Sequence, residues 1–178
     1  DWVYLSLEDS CINRQTVHLP AQIAKQFRDL HFGGNGTAVN LKDVLKDVSW
    51  QQAITPVHGF NSIATLVAHT HYYVGIVTRV LNGEPLTGKD ADSFNCPPIN
   101  TEEDWQQLLN KVWNDAEQFA RMLERFPEAR LGEIFINEKY GNYYRNFTGI
   151  VEHTHYHLGQ IVLLKKLVSA WMRTGIAS

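Results

Sequence analysis

A chain of 178 residues can bury a proper core, and residues 1–178 read as one domain. With 44% hydrophobic and 20% charged residues it fits neither a disordered nor a disulfide-dense class. A formal net charge of −3 argues against a nucleic-acid binder that relies on bulk electrostatics. No apolar run approaches the roughly 20 residues that span a bilayer. Glu8 and Asp9 come early, with no basic segment leading into an apolar one, so no signal peptide is expected. Starting at Asp1 rather than Met, the sequence leaves residues upstream open. Cys11 and Cys96 read as reduced thiols of a cytoplasmic protein, and neither has the basic neighbour that activates a thiol.

Residues 1–15 open with the apolar group Trp2-Val-Tyr-Leu5 and then turn polar, an irregular lead-in. A first helix begins between Thr16 and Pro20 with Leu19, Ile23, Phe27 and Leu30 on one face. It stops at Gly33-Gly34-Asn35-Gly36, a connector that lacks the Gly-Lys-Ser/Thr ending of a phosphate loop. Asn40 can cap a short helix through Val48, and Ser49-Trp50 begins another turn. The second long helix is expected to start with Thr55 as cap and Pro56 at its first position. It runs to Leu81, ends at Asn82-Gly83, and carries His58, His69 and His71.

Residues 83–100 are polar with three prolines, a connection long enough to cross between parallel helices of a bundle. Thr101-Glu-Glu-Asp104 opens a third helix as a capping box, and Trp105, Leu108, Leu109, Val112, Ala116, Phe119, Ala120 and Leu123 follow at three- and four-residue steps. Pro127 closes it. A loop over residues 127–141 carries Leu131, Ile134 and Phe135, expected to pack on the bundle. No alternating strand pattern competes, so the fold reads as an all-α four-helix bundle with a long crossover between helices two and three.

The fourth helix, from Asn142 to Arg173, carries the chemistry. Phe147, Ile150, Ile161, Leu164 and Val168 share one face, with Arg145, Glu152, Lys166 and Arg173 opposite. His153 and His157 fall with the apolar set; His155 points to the charged side. Imidazoles at i and i+4 converge and can hold one metal ion, although the same pattern also serves ordinary buried histidines. A third ligand decides between them. On periodicity His71 sits on the more apolar side of the second helix and His69 at its border, which leaves the choice open. Gly149 and Gly159 flank the pair and would admit a close neighbouring helix or a kink. Asn146 and Gln160 share the His153 side, placed to hydrogen-bond ligands or substrate. The sequon Asn146-Phe147-Thr148 lies inside this helix and is discounted.

The run His153-Thr-His155-Tyr-His157-Leu-Gly159-Gln160 resembles the C-terminal signature of the DinB/YfiT-like superfamily of metal-dependent enzymes, and Ile63-Ala-Thr-Leu-Val-Ala-His69 resembles its helix-two segment. That resemblance covers about residues 16 to 174. It implies a metal triad of His69, His153 and His157, with His71 in the core or behind the ligands and His155 on the surface. It also implies a helix-two to helix-three crossover and a homodimer.

Three neutral imidazoles leave an open position on a divalent metal, zinc first, with nickel, manganese or iron as alternatives. No general base is evident. Thr154 occupies the place where a zinc peptidase needs Glu, Glu152 points away, and Glu133 and Glu138 could reach the bundle mouth but read more readily as surface residues. Tyr72, Tyr73, Tyr143, Tyr144 and Tyr156 are candidate phenolic donors. The resemblance implies thiol-transferase chemistry with a low-molecular-weight thiol, or hydrolase-like chemistry, on a small-molecule substrate without nucleic acid or membrane. The alternatives are a non-catalytic metal-binding bundle with a structural or stress-response role, and a bundle without metal.

Overall fold

The computed structural model describes residues 17–174; the lead-in over residues 1–15 and Cys11 lie outside the described residues. Among the described residues the chain is all-α, with six helices and no strand. Helix α1 (Leu19–Phe32) has Pro20 in its first turn and buries Ile23, Ala24, Phe27 and Leu30. It ends at Gly33, whose φ of 107° lies in the region that favours glycine. Helix α2 (Leu41–Leu45) starts under Asn40, whose Oδ1 accepts from the Asp43 amide at 2.9 Å. Helix α3 (Trp50–Ile54) carries a full capping box: Gln52 N–H donates to Ser49 Oγ, and Ser49 N–H to Gln52 Oε1.

The second long helix starts later than its sequence suggests. Thr55 closes α3 instead of opening the next helix, its hydroxyl donating to the Gln51 carbonyl at 2.6 Å. The chain then turns through His58 (φ 44°) and Gly59 (φ 79°), closed by a bridge between Val57 and Phe60. Helix α4 (Ile63–Leu81) begins under Ser62, whose Oγ accepts from the Thr65 amide. The fully buried Val57 explains the correction, because it fills the core from a turn that a helix through Pro56 would lose. His58 stands edge-on to Trp171 at 4.7 Å between ring centroids.

Helix α5 (Glu102–Glu124) has the expected Thr101–Asp104 capping box, and helix α6 (Tyr143–Thr174) is capped by Asn142 through the Arg145 amide. The connection from α4 to α5 is not a plain span. It folds a 3-10 turn, Asp90–Phe94, against α4. In the loop before α6, Leu131 and Phe135 are buried as expected, whereas Ile134 is exposed.

Helix α1 packs on α5 and α6, and α4 packs on the same two helices. The core forms in two parts. One surrounds Trp105, Leu109, Leu158 and Ile161; the other gathers Phe27, Phe119, Leu123 and Phe147. The apolar face read from the α6 sequence is the buried one, with Phe147 and Ile161 fully enclosed. A Cβ at Gly149 or Gly159 would meet nothing within 4 Å, so neither glycine serves the close helix contact their spacing suggested.

Helix α4 is buried on two sides, and this places its two histidines differently. His71 reaches α1, its Nε2 3.2 Å from Nε2 of His31. The His31 Nδ1–H donates to the Phe27 carbonyl, so the His31 Nε2 accepts from His71. Burial holds His31 neutral, its pKa lowered to about 4, and pushes that of His71 well below the usual value.

Candidate metal centre

His69 from α4 and His153 and His157 from α6 each offer a ring nitrogen, all within 4.8 Å of one another. Nε2 of His153 lies 3.1 Å from Nε2 of His69 and 3.0 Å from Nε2 of His157. The i, i+4 spacing on α6 puts two of these rings on one face, and the packing of α4 on α6 supplies the third. His69 and His157 are buried and His153 half-buried.

The surrounding hydrogen bonds decide which nitrogens are bare. Ser93 Oγ donates to the Asp90 carbonyl at 2.6 Å, so it accepts from His69 Nδ1–H at 3.0 Å. Gln160 Nε2 donates to the Tyr156 hydroxyl, and Gln160 Oε1 accepts from His157 Nδ1–H at 2.7 Å. Each neutral imidazole carries one N–H, so both His69 and His157 turn lone pairs inward. A proton on Nε2 of His153 can satisfy one of these two acceptors but not both. The Nδ1 of His153 is buried without a partner among the described residues. Converging lone pairs repel unless a cation sits between them. The donor set therefore fits a divalent transition metal, with its tautomers already fixed from behind.

Electrostatics agree with this arrangement. Burial, with His157 and His69 adding to it, lowers the His153 pKa to about 4. Burial likewise lowers the pKa of His69 and of His157. All three rings are neutral at physiological pH, as metal ligation requires. Phe94 stacks on the His69 ring, with centroids 3.9 Å apart and planes 13° apart.

A cleft of about 490 Å³ opens beside His153. Its apolar wall includes Ile76, Leu86, Phe135 and Ile150, and Gly149 leaves it open on the α6 side. The Tyr73 hydroxyl donates to Asp90 Oδ1 at 3.1 Å in this cleft, and its ring stands edge-on to His153. Desolvation raises the phenol's pKa, so it stays protonated. Lys89, Lys139 and Arg145 also line the cleft.

The remaining sequence candidates separate cleanly. Gln160 holds a triad member. Asn146 lines the cleft, but its amide donates to the Tyr140 and Asn142 carbonyls and touches no histidine ring. His71 belongs to the His31 pair, and His155 is exposed. Glu133 pairs with Arg130, and Glu138 and Glu152 are exposed. Sequence reasoning missed Ser93, Asp90 and Phe94, all in the α4–α5 connection. The signal was its length, because connections longer than about 12–15 residues are usually either functional or linkers.

Ser93→Ala should weaken metal affinity about 10–100-fold while leaving the helical content unchanged. Competition with a chromophoric chelator reads this directly. Unaltered affinity would reduce Ser93 to a packing residue.

The chain belongs to the DinB superfamily: the model of that family matches residues 37–161, a span that contains all three clustered histidines. Neither the curated proteins nor the solved structures give a match.

Proposed function

We propose that the protein is a metal-dependent enzyme using His69, His153 and His157 as ligands, with thiol-transferase or hydrolase-like chemistry on a small molecule. The observation that carries this reading is the pair of Nε2 lone pairs fixed inward by Ser93 and Gln160, beside an open cleft. When bound, a divalent ion, zinc first with nickel, manganese or iron as alternatives, would supply a Lewis acid that activates a low-molecular-weight thiol or water. The chain's own residues do the rest. Ser93 and Gln160 hold the ring orientations, and the apolar wall limits water. Tyr73, kept protonated, donates a hydrogen bond, and Asp90 at the same edge can accept a proton.

The same reading takes the four long helices as a bundle with a crossover between α4 and α5, supported by the packing of α1 and α4 on α5 and α6. It places the protein in the cytoplasm as a homodimer. Among the described residues no helix is long and apolar enough to cross a membrane, and Phe60 and Leu163 expose large apolar side chains near α6.

The test is cobalt substitution. Adding a thiol to the cobalt-loaded protein should produce a sulfur-to-cobalt absorption band, and electrophile screening would follow. A loaded protein whose spectrum responds to no added thiol or other small ligand lacks an open position, and the enzymatic reading fails. Chelation addresses the non-catalytic alternative. Leu66, Val67, Leu158 and Ile161 join the buried core without the histidines, so the helices should survive metal removal. Cooperative unfolding on chelation would instead mark a structural ion.

A further inference from the structure

The cleft beside the triad gathers basic side chains next to the candidate metal centre. The chain is acidic as a whole, with a net charge of −3. Among the described residues several basic side chains elsewhere stand in ion pairs, as Arg28 does with Glu117 and Glu124, and Lys165 with Asp47. Lys89, Lys139 and Arg145 converge on the cleft from two separate segments, and among the described residues none has a carboxylate partner. One acid, Asp90, shares the space, and it is engaged by the Tyr73 hydroxyl. Three cations against one carboxylate leave the lining of the cleft net positive.

Two glycines shape this mouth. A Cβ at Gly141 would come 2.9 Å from Cδ of Arg145, so the arginine stem lies across a position that only glycine leaves free. A Cβ at Gly88 would come 2.7 Å from both the Tyr72 hydroxyl and Ile76 Cδ1, so the strand of chain carrying Lys89 and Asp90 can lie directly on α4. The Arg145 stem is thereby set beside Gly141, the Lys139 ammonium lies over the Tyr140 ring at 5.4 Å, and all three cations are exposed at the mouth.

We infer that this cleft binds a small molecule with an apolar body and a carboxylate end, the carboxylate held by Arg145 and Lys139 and the body lying toward His153. Arg145 offers a planar fork that matches a carboxylate, and Lys139 adds a point charge. Asp90 repels a second acid at its own end and so orients the molecule. Lys89 adds to the positive field that draws an anion in. This names the substrate class for the metal site and rests on that reading for the reaction, but binding itself needs only the chain.

3-Phenylpropanoate, an apolar body with one carboxylate end, is the probe, with 3-phenylpropanamide as its neutral counterpart, titrated by calorimetry into both metal-free and metal-loaded protein. 3-Phenylpropanoate should bind, weaken with rising ionic strength, and shift amide resonances around Tyr73, Asp90 and Arg145. Arg145→Gln should weaken it at least about tenfold and Lys139→Gln severalfold, while Arg125→Gln, outside the cleft, leaves it unchanged. Equal binding of the neutral probe, or an affinity indifferent to Arg145→Gln, would overturn the inference even if metal is bound. Arg145-dependent binding in a protein that takes up no metal would uphold the carboxylate site and defeat only the metal reading.

Discussion

His153→Ala should leave the protein unable to retain metal through dialysis, where the unaltered protein keeps about one ion per chain. His69→Ala and His157→Ala should behave the same way, because each removes one of three nitrogens that meet at a single point. His71→Ala is the discriminating control. It should keep its metal and lose about 1–3 kcal/mol of stability instead, since the buried His31 Nε2 then lacks its donor. Elemental analysis of protein made without a histidine tag, beside thermal melts, separates these outcomes. Loss of metal from His71→Ala with retention in His69→Ala would overturn the assignment.

Acid gives the same site a second signature. Metal requires neutral imidazole, and an ordinary histidine begins to charge near pH 6.5. The His153 pKa stands lowered to about 4, and those of His69 and His157 are lowered too. A depressed pKa means that protons compete less at a given pH, so metal retained through dialysis should persist further below pH 6.5 than at a site of ordinary histidines and be lost by about pH 4, where His153 charges.

Trp105→Ala should be the most damaging single change to the fold, destabilising by about 3–5 kcal/mol and lowering the melting temperature by roughly 6–20 °C. Trp105 is fully buried on α5 in the core half that includes Leu109 and Ile161, and its Nε1–H donates to the Val48 carbonyl at 2.8 Å. The alanine variant leaves a cavity and an unpaired carbonyl together. Trp105→Phe isolates the second term and should cost less. Metal content per folded chain should not change in either, as Trp105 touches none of the three histidines. A melting temperature within a degree or two of the parent for Trp105→Ala would show that the site relaxes far more than its burial implies.

Local rules account for much of what was legible beforehand. The caps at Asn40, Ser49 and Thr101 act over three residues, and all are present. Thr55-Pro56 matched the same rules and was misplaced, because Ser62 offers an equally good cap and Val57 is more stable in the core. A cap rule cannot weigh the burial of a side chain against residues about 100 positions away.

The sequence by itself determined the helical class, the buried face of α6, and the convergence of His153 and His157, since a helical repeat is a property of neighbouring residues. Periodicity left His69 and His71 open and the resemblance pointed to His69; the tertiary structure brings His69, not His71, to His153 and His157. Two residues apart, His69 and His71 project from opposite sides of α4, about 200° around the helix. Both sides are buried, one toward His31 of α1 and the other toward α6, so an apolar face could not single out the histidine that meets the α6 pair. Ser93, Asp90 and Lys139 come from segments without an α-helical period, and Arg145 from the charged face of α6. What gathers them at the triad is the packing of α4 on α6 and the fold of the connection over it, interactions between residues far apart in the chain.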